Sequence, residues 1–298
     1  MEGRADLHTH TKYSGLSKVL FLKLPDAITE PEDVVRAAEE RKLQVLCVTD
    51  HNSIRGGLEA RKYARSVEIV VGEEVATSEG EVLGLFLTEQ VPMGLTAAET
   101  IDIIHAQGGV AIAPHPFSAH CKALGKRALT LKLDGIEAFN SAHRDKYAND
   151  LAEKLCSKSG MALTGGSDAH SPRMVGNAYT TFEGSTAEEL RAALLARKVG
   201  YGGRYTPLGD MIWMTTEVAL RIQELIGQSL SGTENTEDTV YAREVYEMRP
   251  ITKVLSFLGI MAFLAPPLTV MAGLVGDHVH WSKSKAMWLE MNGEAPEK

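Results

Sequence analysis

An α/β barrel is the fold class predicted for residues 1–205, followed by a helical extension over 206–298, and three observations predict it. Strand-like and helix-like segments alternate through the first part of the chain, the pattern of βαβ units. The residues able to do chemistry, His8, His10, Asp50, His51, Glu73, His115, Asp168 and His170, fall at or just past the C-terminal ends of the predicted strands. In a barrel those ends converge on one mouth, whereas an open sheet spreads them along an edge. No Gly-x-Gly-x-x-Gly or Gly-x-x-x-x-Gly-Lys-Ser/Thr follows any strand, so the phosphate loops of open nucleotide-binding sheets are missing.

Taken in order, a short strand at Ala5–Leu7 leads into Asp6-Leu7-His8-Thr9-His10, then a polar loop and an irregular apolar stretch up to Pro25. In an extended strand residues i and i+2 share a face, so His8 and His10 can reach one cation together. Pro31–Arg41 is a helix, with proline near its start, acids in its first turn and basic residues at its end. Gln44–Thr49 is a continuous apolar run that ends in Asp50-His51, as a buried parallel strand does. The pattern repeats: helix Arg55–Arg65, strand Val67–Val71 ending in Gly72-Glu73-Glu74, strand Glu81–Leu87, and helix Ala97–Gln107 closed by Gly108-Gly109. Strand Val110–Ala113 ends in Pro114-His115-Pro116, and strand Gly135–Ala138 ends in Phe139-Asn140. Helix Asp145–Lys158, strand Met161–Thr164 with Gly165-Gly166-Ser167-Asp168-Ala169-His170, strand Ala178–Phe182 and helix Thr186–Arg197 complete the series. Gly200–Arg204, with Pro207 and Gly209, is expected to be a flexible linker.

The composition bounds what the protein does. Of 298 residues, 44% are hydrophobic and 23% charged, enough for one large domain and an appendage. The net charge of −8 gives no basic field for an extended duplex nucleic-acid surface. Cys47, Cys121 and Cys156 are scattered, with no Cys-x-x-Cys, which argues against a disulfide framework or a thiolate zinc site. With no apolar signal at the N-terminus, a cytoplasmic location is expected.

Imidazole and carboxylate ligands without thiolate suit zinc, manganese or iron, and the inventory exceeds what one tetrahedral ion needs. The ordered set Asp6-Leu7-His8-Thr9-His10-Thr11, Thr49-Asp50-His51-Asn52, Gly72-Glu73-Glu74-Val75, Pro114-His115-Pro116 and Gly166-Ser167-Asp168-Ala169-His170 resembles the motifs of the PHP (polymerase and histidinol phosphatase) superfamily. The resemblance covers residues 1 to about 205. It implies a distorted seven-stranded, TIM-like (β/α)7 barrel holding two or three divalent ions (Mn, Zn or Fe) and hydrolysing phosphate esters through a hydroxide that bridges two of them. Carried over by position, it implies that His8, His10 and Asp168 hold one metal and that Glu73 bridges it to another. His51 and His170 would hold the second metal, and His115 the third with Glu73. Asp168, His170 and Glu73 would then be the catalytic residues. Many relatives have an aspartate after the serine of the first motif; here the chain reads Ser14-Gly15, so the second metal is expected to be one ligand short. Glu81 stands where many relatives have a further histidine ligand. Asp50 is expected to orient a ligand rather than to be one.

Arg144, beside His143 and Lys146, suits a bidentate grip on phosphate, and Lys12 would add a point charge. His105 and His120 are expected to be packing or surface histidines. The expected substrate is a phosphorylated small molecule or a nucleotide or oligonucleotide end. A metal-binding scaffold without turnover is the alternative, supported by Gly15 and Glu81.

In the extension, Met211–Leu230 is an amphipathic helix with Met211, Met214, Val218, Ile222, Leu225 and Ile226 on one face. Residues 254–276 form a run of 23 residues without charge or histidine, long enough to cross about 30 Å of hydrocarbon. Pro266-Pro267 interrupts it, and Trp281, Lys283, Lys285 and Trp288 follow it as an interfacial belt would. The expectation is membrane association through 254–276, with a helical hairpin that folds on the barrel or mediates a homodimer as the other reading.

Overall fold

The computed structural model describes residues 1–19, 22–157, 159–264 and 266–292. The N-terminal part begins with β1 (Glu2–Asp6), a hairpin of β2 (Leu16–Val19) and β3 (Leu22–Pro25), α1 (Pro31–Glu40), β4 (Val45–Val48) and α2 (Arg55–Ala60). It continues through β5 (Glu68–Ala76), β6 (Glu81–Leu85), α3 (Ala97–Ala106), β7 (Val110–Ala113), β8 (Gly135–Asn140), α4 (Lys146–Cys156) and β9 (Ala162–Gly166). β10 (Ala178–Glu183), α5 (Ala187–Leu195) and β11 (Val199–Gly203) end it.

One sheet runs in the order β11-β10-β1-β4-β5-β6-β7-β8-β9, and its far edge returns to its start. At the seam Thr9 bridges Ala169 in parallel, and Thr180 Oγ1 both accepts from Gly165 N and donates to Gly165 O, at 3.0 and 2.9 Å. The sheet is therefore a nearly closed barrel, as expected. β1 and β4–β9 make the seven-stranded wall, while β10 and β11 extend it antiparallel beyond β1. The distortion has a specific origin. β6 is antiparallel to both β5 and β7, because β5 turns straight back through Thr77–Gly80 without a crossover helix.

Local chemistry fixes the helix starts that hold this frame. Thr96 and Thr186 form reciprocal capping boxes with Glu99 and Glu189, Asp145 accepts from Tyr147 N, and Pro31 opens α1. Val199–Gly203 departs from the expected linker. These residues pair with Ala178–Phe182, because alternating Gly and Tyr can satisfy a ladder without bulk.

The extension comprises α6 (Leu208–Leu230), α7 (Val240–Glu247), α8 (Pro250–Phe263) and α9 (Pro266–Asn292). Val218, Ile222, Leu225 and Ile226 of α6 are buried, as the expected amphipathic face requires. They pack with Tyr241, Ala242, Val245 and Ile260, and with Leu16 and Leu24 of the hairpin. α9 lies along α4, where Tyr147 meets Trp281 and Trp288 at ring distances of 5.6 and 5.8 Å. The 254–276 run is thus split between two helices, with α8 ending at Phe263 and α9 starting at Pro266. Among the described residues no helix is long and apolar enough to cross a membrane, so the expected membrane association finds no support; Ile260 of the run packs with α6 and α7, while Leu255, Leu258, Met271 and Leu274 are exposed.

Ile226 is fully buried where α6 meets α7 and α8. Ile226→Ala should lower unfolding stability by about 2–5 kcal/mol in urea titrations. Leu258→Ala, on the exposed face of α8, should change it by less than about 0.5 kcal/mol.

Candidate metal centre

The strand ends deliver their side chains to one point, and a carboxylate occupies its middle. Glu74 Oε2 lies 3.2 Å from His8 Nε2, 3.4 Å from His10 Nε2 and 3.2 Å from His51 Nδ1, while Oε1 lies 3.0 Å from His115 Nε2. Asp168 is the second hub. Its Oδ1 lies 3.5, 3.2 and 3.5 Å from His8, His10 and His170, and its Oδ2 lies 3.4 Å from His143 Nε2.

The carboxylate that stands among the histidines is Glu74, not Glu73, the residue expected to bridge. Successive residues of β5 face opposite ways, so the two glutamates part company. Glu73 turns into the wall, where Oε2 accepts from Val91 N at 2.8 Å and burial pushes its pKa up to about 7. In none of the clusters that could hold an ion among the described residues is Glu73 a member.

A carboxylate stands beside His51 and His170 where Gly15 offers none. The hairpin β2–β3 is inserted directly after Gly15, and Asp26 N donates to Gly15 O across its base at 3.3 Å. Asp26 therefore takes the place that would follow Ser14, with Oδ2 2.7 Å from His170 Nε2 and 3.4 Å from His51 Nε2. His10, Asp26, His51 and His170 form one four-residue cluster, and His51, Glu74 and Glu81 form another. Glu81 thus stands beside His51 and Glu74, and burial followed by the nearby Glu74 charge pushes it up to about 8.

A third cluster joins His115 to His143 and Cys121. His143 had been singled out only as the neighbour of a basic loop, and Cys121 as an incidental thiol. Burial would raise that thiol, but the His115 and His143 rings beside it hold it down at about 5. Both residues expected to grip phosphate have protein partners. Arg144 donates to the Thr206 carbonyl, and Lys12 Nζ is 2.7 Å from Glu30. His105 pairs with Asp134 at 2.8 Å, remote from the centre.

A supporting layer fixes the rings. His8 Nδ1 donates to Glu137 Oε1 at 3.2 Å and His170 Nδ1 to the Asp168 carbonyl at 2.9 Å, which turns each Nε2 toward the carboxylates. Glu137 Oε2 accepts from His115 N and from Asn140 Nδ2, which also donates to Asp168 Oδ2 at 3.1 Å. Asp50 accepts from the Thr11 amide and hydroxyl and so holds the loop that follows His10. Gly166 has no room for a side chain: a Cβ would lie 2.3 Å from Glu137 Oε1 and 2.7 Å from His8 Cβ. His115 and Asp168 hold left-handed φ values of 26° and 52°, costs that bonded neighbours sustain.

The donor set fits divalent cations. His10 is fully buried and its Nε2 makes no hydrogen bond, although carboxylate oxygens lie 3.2 and 3.4 Å away. An imidazole nitrogen so placed among acids is shaped for a cation. Burial depresses His10 to about 4, so it is neutral at pH 7 and able to ligate. Burial would also depress His170, but Asp26 and Asp168 raise it to about 10; in the same way Asp168 and Cys121 lift His143 to about 9.

Two openings reach the centre. A cavity of about 280 Å³ is bounded by Asp26, His143, Asp168 and His170 on one side and by Met211, Met214 and Val218 of α6 on the other. A larger one, about 510 Å³, runs from His51 and Glu81 past Tyr13 and Arg55 to Asp238 and Arg243 of the extension.

Comparison with known proteins places these features in a lineage. A model of a PHP-associated family matches residues 146–199. An uncharacterized protein of Methanocaldococcus jannaschii is 52% identical over 151 residues, covering 50% of this chain and 88% of that protein. A second from the same organism is 32% identical over 186 residues, covering 60% of this chain and 70% of the relative. A two-domain protein of Bacteroides vulgatus, described as containing a predicted PHP-like metal-dependent phosphoesterase, superposes with a TM-score of 0.56 at 17% identity. The match covers 68% of this chain and 65% of that one, and it shows a shared fold.

Two outcomes are expected. Glu74→Gln should strip bound divalent metal as measured by elemental analysis, and Glu73→Gln should retain it. In the metal-free protein, raised His170 and His143 contribute stability that is complete below pH 6.5 and lost as pH rises through about 9 to 10. The melting temperature of metal-free protein should therefore fall across that window, and metal added at pH 7 should release protons into a weakly buffered solution.

Proposed function

The chain belongs to the PHP superfamily, and on that premise we propose that it is a metal-dependent phosphoesterase acting at the centre built around Glu74. The observation that carries the reading is the Glu74 carboxylate itself, fully enclosed and within 3.4 Å of four histidine nitrogens. Two or three divalent ions bound there would neutralise charge on phosphoryl oxygens and make water acidic enough to attack near neutral pH. His8, His10, Glu74 and Asp168 are assigned to one ion, Asp26, His51 and His170 to a second, and His115 and His143 to a third.

The protein's own residues supply the geometry. Glu137 and Asn140 hold His8, His115 and Asp168 in register, so that the ligands need not reorganise as charge develops. Methionines of α6 close one opening with apolar surface, which excludes water around the phosphoryl group. The organic part of a small phosphate ester or a nucleotide end fits the 510 Å³ cavity, where the Arg55 guanidinium lies 4.4 Å over the Tyr13 ring. The gap at Gly15 that favoured a scaffold without turnover is filled by Asp26, which weighs for catalysis.

Protein reconstituted separately with manganese, zinc and iron should hydrolyse aryl phosphate monoesters or diesters. Asp168→Ala should abolish both turnover and tight metal binding. Asn140→Ala should keep the fold and weaken metal binding by about 10–100-fold. Full metal occupancy with no hydrolysis across a broad monoester and diester screen would overturn the reading.

A further inference from the structure

The phosphoesterase reading leaves Cys121 unused, although its sulfur stands at the centre. The residue is exposed at the rim, yet Sγ lies 3.2 Å from His115 Nδ1 and 3.8 Å from His115 Nε2. A ligand atom of His143 completes a set in which every member lies within 4.8 Å of the others. His115 and His143 are only 6% and 7% exposed, so the two rings form a rigid floor and the cysteine a rim. Ser118 Oγ sits 2.9 Å from His143 Nδ1, which leaves Nε2 as the nitrogen that faces inward. Glu74 Oε1, 3.0 Å from His115 Nε2, borders the same space.

We propose that Cys121 is a thiolate ligand, binding a soft divalent cation, zinc or ferrous iron, together with His115 Nε2, His143 Nε2 and Glu74 Oε1. The inference rests on the metal-dependent reading above and deepens it. It makes one position of the centre chemically unlike the others, which offer nitrogen and oxygen alone.

Magnitudes support coordination. An ion that holds nitrogen at about 2.0–2.1 Å and sulfur at about 2.3 Å in a tetrahedron keeps the two ligand atoms about 3.5 Å apart. The 3.8 Å from Sγ to His115 Nε2 comes within a small side-chain adjustment of that spacing. As the metal–sulfur bond forms, the thiol proton leaves to solvent and the sulfur enters as a thiolate, with no oxidant or reductant needed. A thiolate selects zinc or iron over manganese, whose preference is for oxygen donors.

The test uses the full chain loaded with cobalt(II). The expected result is a sulfur-to-cobalt charge-transfer band in the near ultraviolet that Cys121→Ser removes and Cys156→Ser preserves, with the visible ligand-field bands of the remaining ions retained. Elemental analysis should find one equivalent more zinc than manganese in the wild type, and that difference should vanish in Cys121→Ser. Zinc should also slow iodoacetamide alkylation of Cys121 in the wild type, a measurement that requires no variant to fold. A missing charge-transfer band, a band that survives Cys121→Ser, or an alkylation rate indifferent to zinc would each overturn the proposal. The two readings fail separately: turnover without the band defeats the thiolate ligand alone, and the band without turnover defeats the phosphoesterase alone.

Discussion

The structure depends on one buried carboxylate. Glu74 is 1% exposed, and an ion so far from water is tolerable only where opposite charge surrounds it. Burial would raise its pKa, but His51 and His8, with His115 bonded to it, hold it well below the usual carboxylate range. The rings in turn depend on it. Burial alone would depress His8, and Asp168, Glu74 and Glu137 together hold it well above its ordinary value. Each of these charges is tolerated because the others are present, so removing one leaves its partners buried and uncompensated. The close approach of Gly166 to His8 and Glu137, and the unusual backbone angles at His115 and Asp168, are consequences of the strand ends converging here.

Most of the frame was legible in the sequence because its signals are local. Proline and acids at the start of α1, the glycines after α3 and apolar runs of strand length name elements, and chemistry at the strand ends names a barrel. What was not legible depends on facing and on distance. Two adjacent glutamates on β5 cannot be told apart until the strand's inner face is known, and it is Glu74 that faces the histidines. Asp26 is not legible because eleven positions and a hairpin separate it from Ser14, and Leu-Ser-Lys-Val over 16–19 carries no clean alternation to mark the first strand of that hairpin. Cys121 escaped because cysteine spacing is informative for Cys-x-x-Cys pairs, whereas this thiol meets its histidines only through the loop after β7.

The extension changed its meaning more than any other part. Read as a one-dimensional string, residues 254–276 are apolar enough to suggest a bilayer. In three dimensions the run breaks before Pro266, and much of its neighbourhood serves other contacts. Lys253 turns inward to Ser229 and the Tyr246 carbonyl, at 2.6 and 2.8 Å, and Trp288 leans on α4. α6 walls the smaller opening to the centre and the start of α7 the larger one, so the part of the chain outside the barrel shapes what can enter it.

The β2–β3 hairpin has two attachments. Its base carries Asp26 to His51 and His170, and Leu16 and Leu24 on its strands pack into the cluster formed by α6, α7 and α8. A cation bound at Asp26 restrains the hairpin, and a docked extension restrains the same hairpin from the opposite side. Were an ion bound there and the extension able to leave the hairpin, the two would be linked, and whatever factor one contributed to the affinity of the other would be returned in equal measure.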